Sequence, residues 1–366
     1  MIDSWLERKE VCICAGSGGV GKTTTSAAIA LGMAARGKKV AVLTIDPARR
    51  LADALGLPEL GNEERRVEVD VRGELWAMML DAKRTFDELI EWHAPDEATR
   101  DAVIGNRIYQ ELSSAVAGSQ EYMAMEKLHE LHLDGRYDLL VLDTPPTRNA
   151  LDFLDAPQRL SAFIDSRALS FFLAPSRFGL RVLGRGTGLV FSVMQRATGI
   201  DLLKDLSDFF RSFGGMTEGF RERAERVNRL LSDHRSAFVL VTSPRRDSIE
   251  EARFFYRRLL ESDFPFAGAV ANRVHAGAGP NGAGTELERL VGAELAAKVT
   301  DAAEAEAALA ERDRQNLDEL RRRLRRKPLI EVPLLAGDVH DLDGLWRMEE
   351  HLFGRAAASA GPITTS

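Results

Sequence analysis

Nine residues constrain this chain more than any other stretch: Gly16-Ser17-Gly18-Gly19-Val20-Gly21-Lys22-Thr23-Thr24. They fit the pattern G-x-x-x-x-G-K-[ST], in which glycines let the backbone bend tightly and gather several N–H groups around one pyrophosphate. Gly18, Gly19, Val20 and Gly21 are then the cradle, with Thr24 opening the helix behind it. Lys22 reaches the β- and γ-phosphates, and the Thr23 hydroxyl ligates Mg²⁺. The flanks agree with this reading. Val11-Cys12-Ile13-Cys14-Ala15 is a short apolar run that predicts a buried strand, and 24–36 predicts a helix ended by Gly37. Strand, glycine loop and helix N-terminus in that order bring backbone amides to where a phosphate would sit.

Composition narrows the partners. Lys and Arg together number 49 against 56 Asp and Glu, a net charge of −7 that lacks the basic footprint of a nucleic-acid binder. A length of 366 residues suits one large α/β domain with an inserted subdomain, or two domains. The two cysteines, Cys12 and Cys14, share one face of a strand, where they cannot form an ordinary disulfide. No other cysteine is present to complete a metal site, so they read as small buried apolar residues. The first residues, MIDSWLERKE, lack the apolar core of a secretory signal, and no run of about 18 apolar residues is present. The expectation is a cytoplasmic protein.

Two further strands end in acids. Residues 39–46 form an apolar run closing on Asp46, with Pro47 directly after it, and 137–143 form the clearest strand, closing on Asp143. A carboxylate at a strand end beside a phosphate loop is placed to orient or deprotonate an attacking water, or to hold Mg²⁺ through water. Asp46 could also serve simply to cap the helix after it. Residues 75–80 suggest a further strand, and 82–135 read as helical, with a break near Gly118-Ser119. Leu202, Leu206, Phe209, Phe210 and Phe213 recur at helical spacing. That apolar stripe is either the interior of a helical subdomain or a groove. Strands at 237–242, 267–274 and 329–333 alternate with helices at 248–262 and 293–327; the first of these helices carries an N-capping serine. Arg321-Arg322-Arg323-Leu324-Arg325-Arg326-Lys327 is read as the basic end of a helix complementing its dipole.

The loop G-S-G-G-V-G-K-T-T, the segment Asp46-Pro47-Ala48-Arg49-Arg50 and the segment Asp143-Thr144-Pro145-Pro146-Thr147 together resemble the ArsA-type ATPases, with their deviant phosphate loop and two switches. The resemblance covers nearly the whole chain. It implies a doubly wound, mainly parallel sheet of a P-loop nucleotide hydrolase with an inserted α-helical subdomain. The corresponding division is a core over 1–81, 137–150 and 236–355, helical parts over 82–136 and 151–235, and a disordered tail over 356–366. It also implies an Mg²⁺-dependent ATPase that works as a dimer and binds ATP. Lys22, Asp46 and Asp143 would carry the catalysis, and Thr23, Asp46 and Asp143 would stand at the metal. Asn272 would read the adenine edge, and Pro333 would border the adenine-side loop over 334–342.

Departures from the family pattern separate its functions. The family's loop lysine, which crosses to the partner's nucleotide, is replaced by Ser17, and the usual D-P-A-H of the first switch has Arg49 at its histidine. Arg49 or Arg50 could partly replace the missing lysine. Where some targeting relatives carry a zinc-binding C-x-x-C, this chain has His275-Ala276-Gly277-Ala278-Gly279-Pro280-Asn281, so no zinc is expected. An arsenite pump needs thiolates that two strand-buried cysteines cannot supply. Two readings stay open. One is a homodimer that targets or chaperones an apolar helix of a membrane protein. The other is a regulatory subunit of a heterodimer whose related partner ATPase supplies the lysine.

Overall fold

The computed structural model describes residues 1–46, 48–107, 109–110, 119–144, 209, 212, 216–277 and 284–354. These fall into two compact units, one built from 1–80, 128–151 and 230–366 and the other from 81–127 and 152–229.

The first unit is an eight-stranded sheet: β1 (Val11–Ala15), β2 (Lys39–Thr44), β3 (Arg65–Arg66), β4 (Glu74–Met79), β5 (Leu139–Asp143), β6 (Ser236–Thr242), β7 (Phe266–Val274) and β8 (Leu329–Pro333). Its order is β3-β4-β2-β5-β1-β6-β7-β8, and every pairing is parallel except that of β3 with β4. Parallel strands covered on both faces are apolar throughout, and β1, β5 and β6 are buried at every position. The chain leaves β1 for β2 and β4 on one side, returns to β5 beside β1, and then builds β6, β7 and β8 on the other side. This reversal at β1 is the switch point at which such sheets bind ligands, beyond the strands' carboxyl ends.

Parallel register brings those carboxyl ends to one edge. Cys14 of β1 and Thr44 of β2 both stand level with Asp143 of β5. The apolar runs therefore deliver the phosphate loop, Asp46 and Asp143 to one place from positions far apart in sequence.

The helix Lys22–Ala35 is buried along most of its length and packs on the helix Leu342–Phe353. A Cβ at Gly32 would collide with the Phe353 ring. Arg36 covers that ring at 4.0 Å from its centroid and donates to Glu349 at 2.7 Å. The helix Leu342–Phe353 is N-capped by Asp341, which accepts from the Gly344 N–H at 2.7 Å. Cys12 and Cys14 are buried and unbridged within this core.

Elements differ from the sequence expectations mainly at their ends. The strand expected to close on Asp46 stops at Thr44, leaving Ile45 and Asp46 in the following segment. The helix expected to begin at Ser248 begins at Arg246, with Arg245 at its N-cap and no side-chain cap. Ser248 instead lies inside the helix, buried against the Ser243 hydroxyl at 3.0 Å. The long helix ends at Leu324 because Arg325 and Arg326 both take positive φ. β3 is unanticipated: two exposed arginines give no apolar signal, and the strand exists only through antiparallel pairing with β4.

The second unit contains the helices Ala82–His93 and Glu97–Ile104, both capped by aspartates, Asp81 and Asp96. Within it, Arg223 pairs with buried Glu126 and lies over the Trp92 ring at 4.5 Å, and Tyr109 stacks on Phe86. The apolar stripe falls almost wholly outside the described residues; of its members only Phe209 is described, and it is buried. Pro145, Pro146 and Thr147 of the second switch, the 118–119 break at Gly118 and the tail over 356–366 also lie outside them.

Candidate nucleotide site

The phosphate loop owes its shape to steric exclusion at two glycines. A Cβ at Gly16 would strike the Val241 carbonyl on β6. Gly21 is the N-cap of the helix Lys22–Ala35 at φ 91°, a left-handed conformation, and a Cβ there would collide with the Asn272 amide. Gly18 and Gly19 are exposed at the loop's tip and Val20 is buried beneath it. Lys22 is the first helical residue. It is buried, its Nζ donates to the Ser17 carbonyl at 2.8 Å, and desolvation lowers its pKa against the opposing pull of Asp143 and Asp46.

Asp143 is the focus of the site. Its Oδ2 accepts from the Thr23 hydroxyl at 2.7 Å and from the Thr44 hydroxyl at 2.9 Å. Its Oδ1 is buried and has no hydrogen-bond partner among the described residues. Burial pushes the carboxyl pKa up to about 6, although the two hydroxyls and the Lys22 charge oppose the shift. An ionised carboxylate with one oxygen unanswered in a dry position is costly unless a cation meets it. This orphaned oxygen beside the Thr23 hydroxyl fits a hard divalent cation, whose preferred ligands are oxygens.

Thr44, which sequence reasoning overlooked, joins the two acids. Its hydroxyl donates to Asp143 and accepts from the Asp46 N–H at 3.2 Å. The available signal was its position two residues before Asp46 on the same strand path. The Asp46 carboxylate accepts from the Ala48 N–H at 2.9 Å and pairs with Arg50 at 3.2 Å. Arg49, the other candidate to replace the missing lysine, is tied to the Pro58 carbonyl. Thr144, next to Asp143, donates both its N–H and its hydroxyl to the Cys14 carbonyl.

A cavity of about 340 Å³ opens beside the loop. Gly21, Thr24, Arg50, Asn272, Pro333 and Val339 are among the residues that line it. The expected nucleotide residues Gly21 and Thr24 of the phosphate loop, Asn272 of β7 and Pro333 of β8 thus meet at one space. Asn272 is committed to protein here: its Nδ2 donates to the Val20 carbonyl at 3.0 Å and its Oδ1 accepts from the Arg273 N–H at 2.9 Å. It stabilises the loop from beneath, a role its side-chain type alone does not reveal.

The family model for anion-transporting ATPases, the ArsA ATPases, matches residues 9–281. The chain belongs to this family. By that membership it is an ATP hydrolase, and its sheet is that of the P-loop nucleotide hydrolases. It is 29% identical over 262 residues to the ATPase GET3 of Malassezia globosa, covering 71% of each chain. It is 36% identical over 146 residues to the ATPase get3 of Aspergillus terreus, covering 39% of this chain and 41% of that one. It is 29% identical over 162 residues to a putative arsenical pump-driving ATPase of Aquifex aeolicus, covering 40% and 38% respectively. Among the described residues no helix is long and apolar enough to cross a membrane.

Proposed function

We propose that the chain binds Mg²⁺–ATP between the phosphate loop and the 334–340 segment and hydrolyses it as a dimer, and that nucleotide state governs the helical unit. The unanswered, buried Oδ1 of Asp143 beside Thr23 and Lys22 carries this reading. In it, the amides of 18–24 and the Lys22 ammonium hold the terminal phosphates. Thr23 and Asp143 hold Mg²⁺, with Asp46 close by through Thr44. Bound Mg²⁺ supplies charge that offsets the negative charge of the phosphates. Asp46 orients the attacking water and accepts its proton, which requires Arg50 to release at least one of its carboxylate oxygens. Gly21, Thr24 and Pro333 border the base and sugar, and Asn272 keeps the loop in shape with its adenine-edge contact available once its amide is redirected. The helical unit then serves an apolar helix of a membrane protein, in a cytoplasmic setting.

Ser17 favours a second reading, a heterodimer. A serine carries no charge, and its hydroxyl is buried without a partner among the described residues, so this position supplies no cation of its own. A related ATPase that retains the loop lysine would supply it.

Steady-state ATP hydrolysis over a range of protein concentrations, with Asp46→Asn as the control for contaminating activity, separates the readings. Specific activity that rises with concentration supports the homodimer. Bound ATP without turnover at any concentration overturns it in favour of the heterodimer, and absence of ATP binding overturns both. For the client, enrichment of apolar helices on the purified protein is the expected result, and a uniformly client-free preparation refutes it.

A further inference from the structure

β7 carries one more residue than its neighbour at the edge of the site. Its register with β8 runs Ala269↔Leu329, Val270↔Ile330 and Ala271↔Glu331, then resumes at Val274↔Pro333. Three steps on β7 therefore face two on β8, a β-bulge at Asn272 and Arg273. Such bulges commonly re-aim side chains beside active sites. Here both side chains turn onto the phosphate loop. Asn272 takes the Val20 carbonyl, and the Arg273 guanidinium donates from Nη1 to the Gly19 carbonyl at 3.3 Å.

Arg273 holds φ at 62°, in the left-handed region where glycine, asparagine or aspartate is the easier residue. The surroundings leave no room to relax. Its N–H is bound by Asn272 Oδ1, Val274 is back in register with β8, and His275 is anchored to buried Asp313 by its N–H at 3.2 Å and its Nδ1 at 2.6 Å. A strained backbone kept in place by its neighbours points from geometry to use. The conformation does not need an arginine; a glycine would meet it without strain. What arginine adds is an exposed guanidinium at the rim of the 340 Å³ cavity, with only one of its N–H groups engaged by a described residue.

We infer that Arg273 is a nucleotide-binding residue that presents a guanidinium in cis to the anionic oxygens of a nucleoside triphosphate. It thereby supplies positive charge on a loop where Ser17 supplies none. Planar guanidinium donors match pairs of phosphate oxygens and form charge-assisted hydrogen bonds. The anchor at Gly19 preorganises the side chain at the loop tip. This assignment rests on the nucleotide reading of the site proposed above.

Calorimetric titration of the full chain with ATP and, separately, with inorganic triphosphate, in wild type, Arg273→Gly and Arg273→Lys, tests it. The expected result for Arg273→Gly is about tenfold or greater weakening toward both probes, with an unfolding midpoint no lower than wild type, since glycine relieves the φ strain. Arg273→Lys should fall between the two, keeping charge but losing the planar fork. ATP affinity within about twofold of wild type in Arg273→Gly overturns the assignment. So does weakening toward ATP with triphosphate binding unchanged, which would move the contact away from the phosphates. A lowered midpoint accompanying the loss would make Arg273 a scaffold residue and also overturn it. Wild-type protein that binds no ATP would instead overturn the nucleotide reading itself, and this inference with it.

Discussion

Replacing Asp143 with asparagine should stabilise the nucleotide-free protein at neutral pH while removing its response to Mg²⁺. The carboxyl is fully buried, and burial raises its pKa from 3.8 to about 6 despite donors from Thr23 and Thr44. A pKa raised in the fold means that the native state holds the proton more tightly than the unfolded chain. Its contribution to stability is therefore fully present below the unfolded value and is lost as pH rises through about 6. A rise of about two pK units corresponds to about 3 kcal/mol, the penalty carried by the ionised group in the apo protein at about pH 7.5. Asparagine has nearly the same shape, its amide oxygen takes the Oδ2 position and accepts from both hydroxyls, and it carries no charge to desolvate, so it lacks the penalty. Urea unfolding midpoints of wild type and Asp143→Asn at about pH 4 and about pH 7.5 measure the difference. The variant should match wild type in acid and exceed it by up to about 3 kcal/mol at the higher pH, and added Mg²⁺–ATP should stabilise wild type alone. Equal destabilisation of the variant at both pH values would refute the reasoning, because the carboxylate would then be stabilised by contacts rather than awaiting a cation.

The other substitutions probe single roles. Lys22→Ala should remove ATP binding, read by calorimetry; retained tight affinity would end the phosphate-loop assignment. Asp46→Asn should bind ATP yet lose hydrolysis by about 10²- to 10⁴-fold in a coupled phosphate-release assay, whereas an unchanged rate would take Asp46 out of catalysis. Ser17→Lys should strengthen ATP-dependent self-association by light scattering, and no change would mean that the absent lysine is not what limits the dimer.

Much of this protein is decided within a few neighbouring residues. G-S-G-G-V-G-K-T-T sets the loop, because glycines permit its turns and the helix behind it forms from local residues. The apolar runs ending at Asp46 and Asp143 announce buried parallel strands with acids at their carboxyl ends, and the doubly wound order follows from alternating strands and helices. Other features come from pairing between distant segments. Register alone sets Thr44 level with Asp143 and makes its hydroxyl the link to Asp46. The bulge in β7 exists only against β8, and it sends Asn272 and Arg273 to the phosphate loop. Arg49 and Arg50 read alike in sequence, yet one reaches Pro58 and the other Asp46. The acidity of Asp143 depends on burial produced by the whole sheet. Local sequence determines which conformations a segment can take, whereas register and desolvation arise only when strands far apart along the chain close against one another.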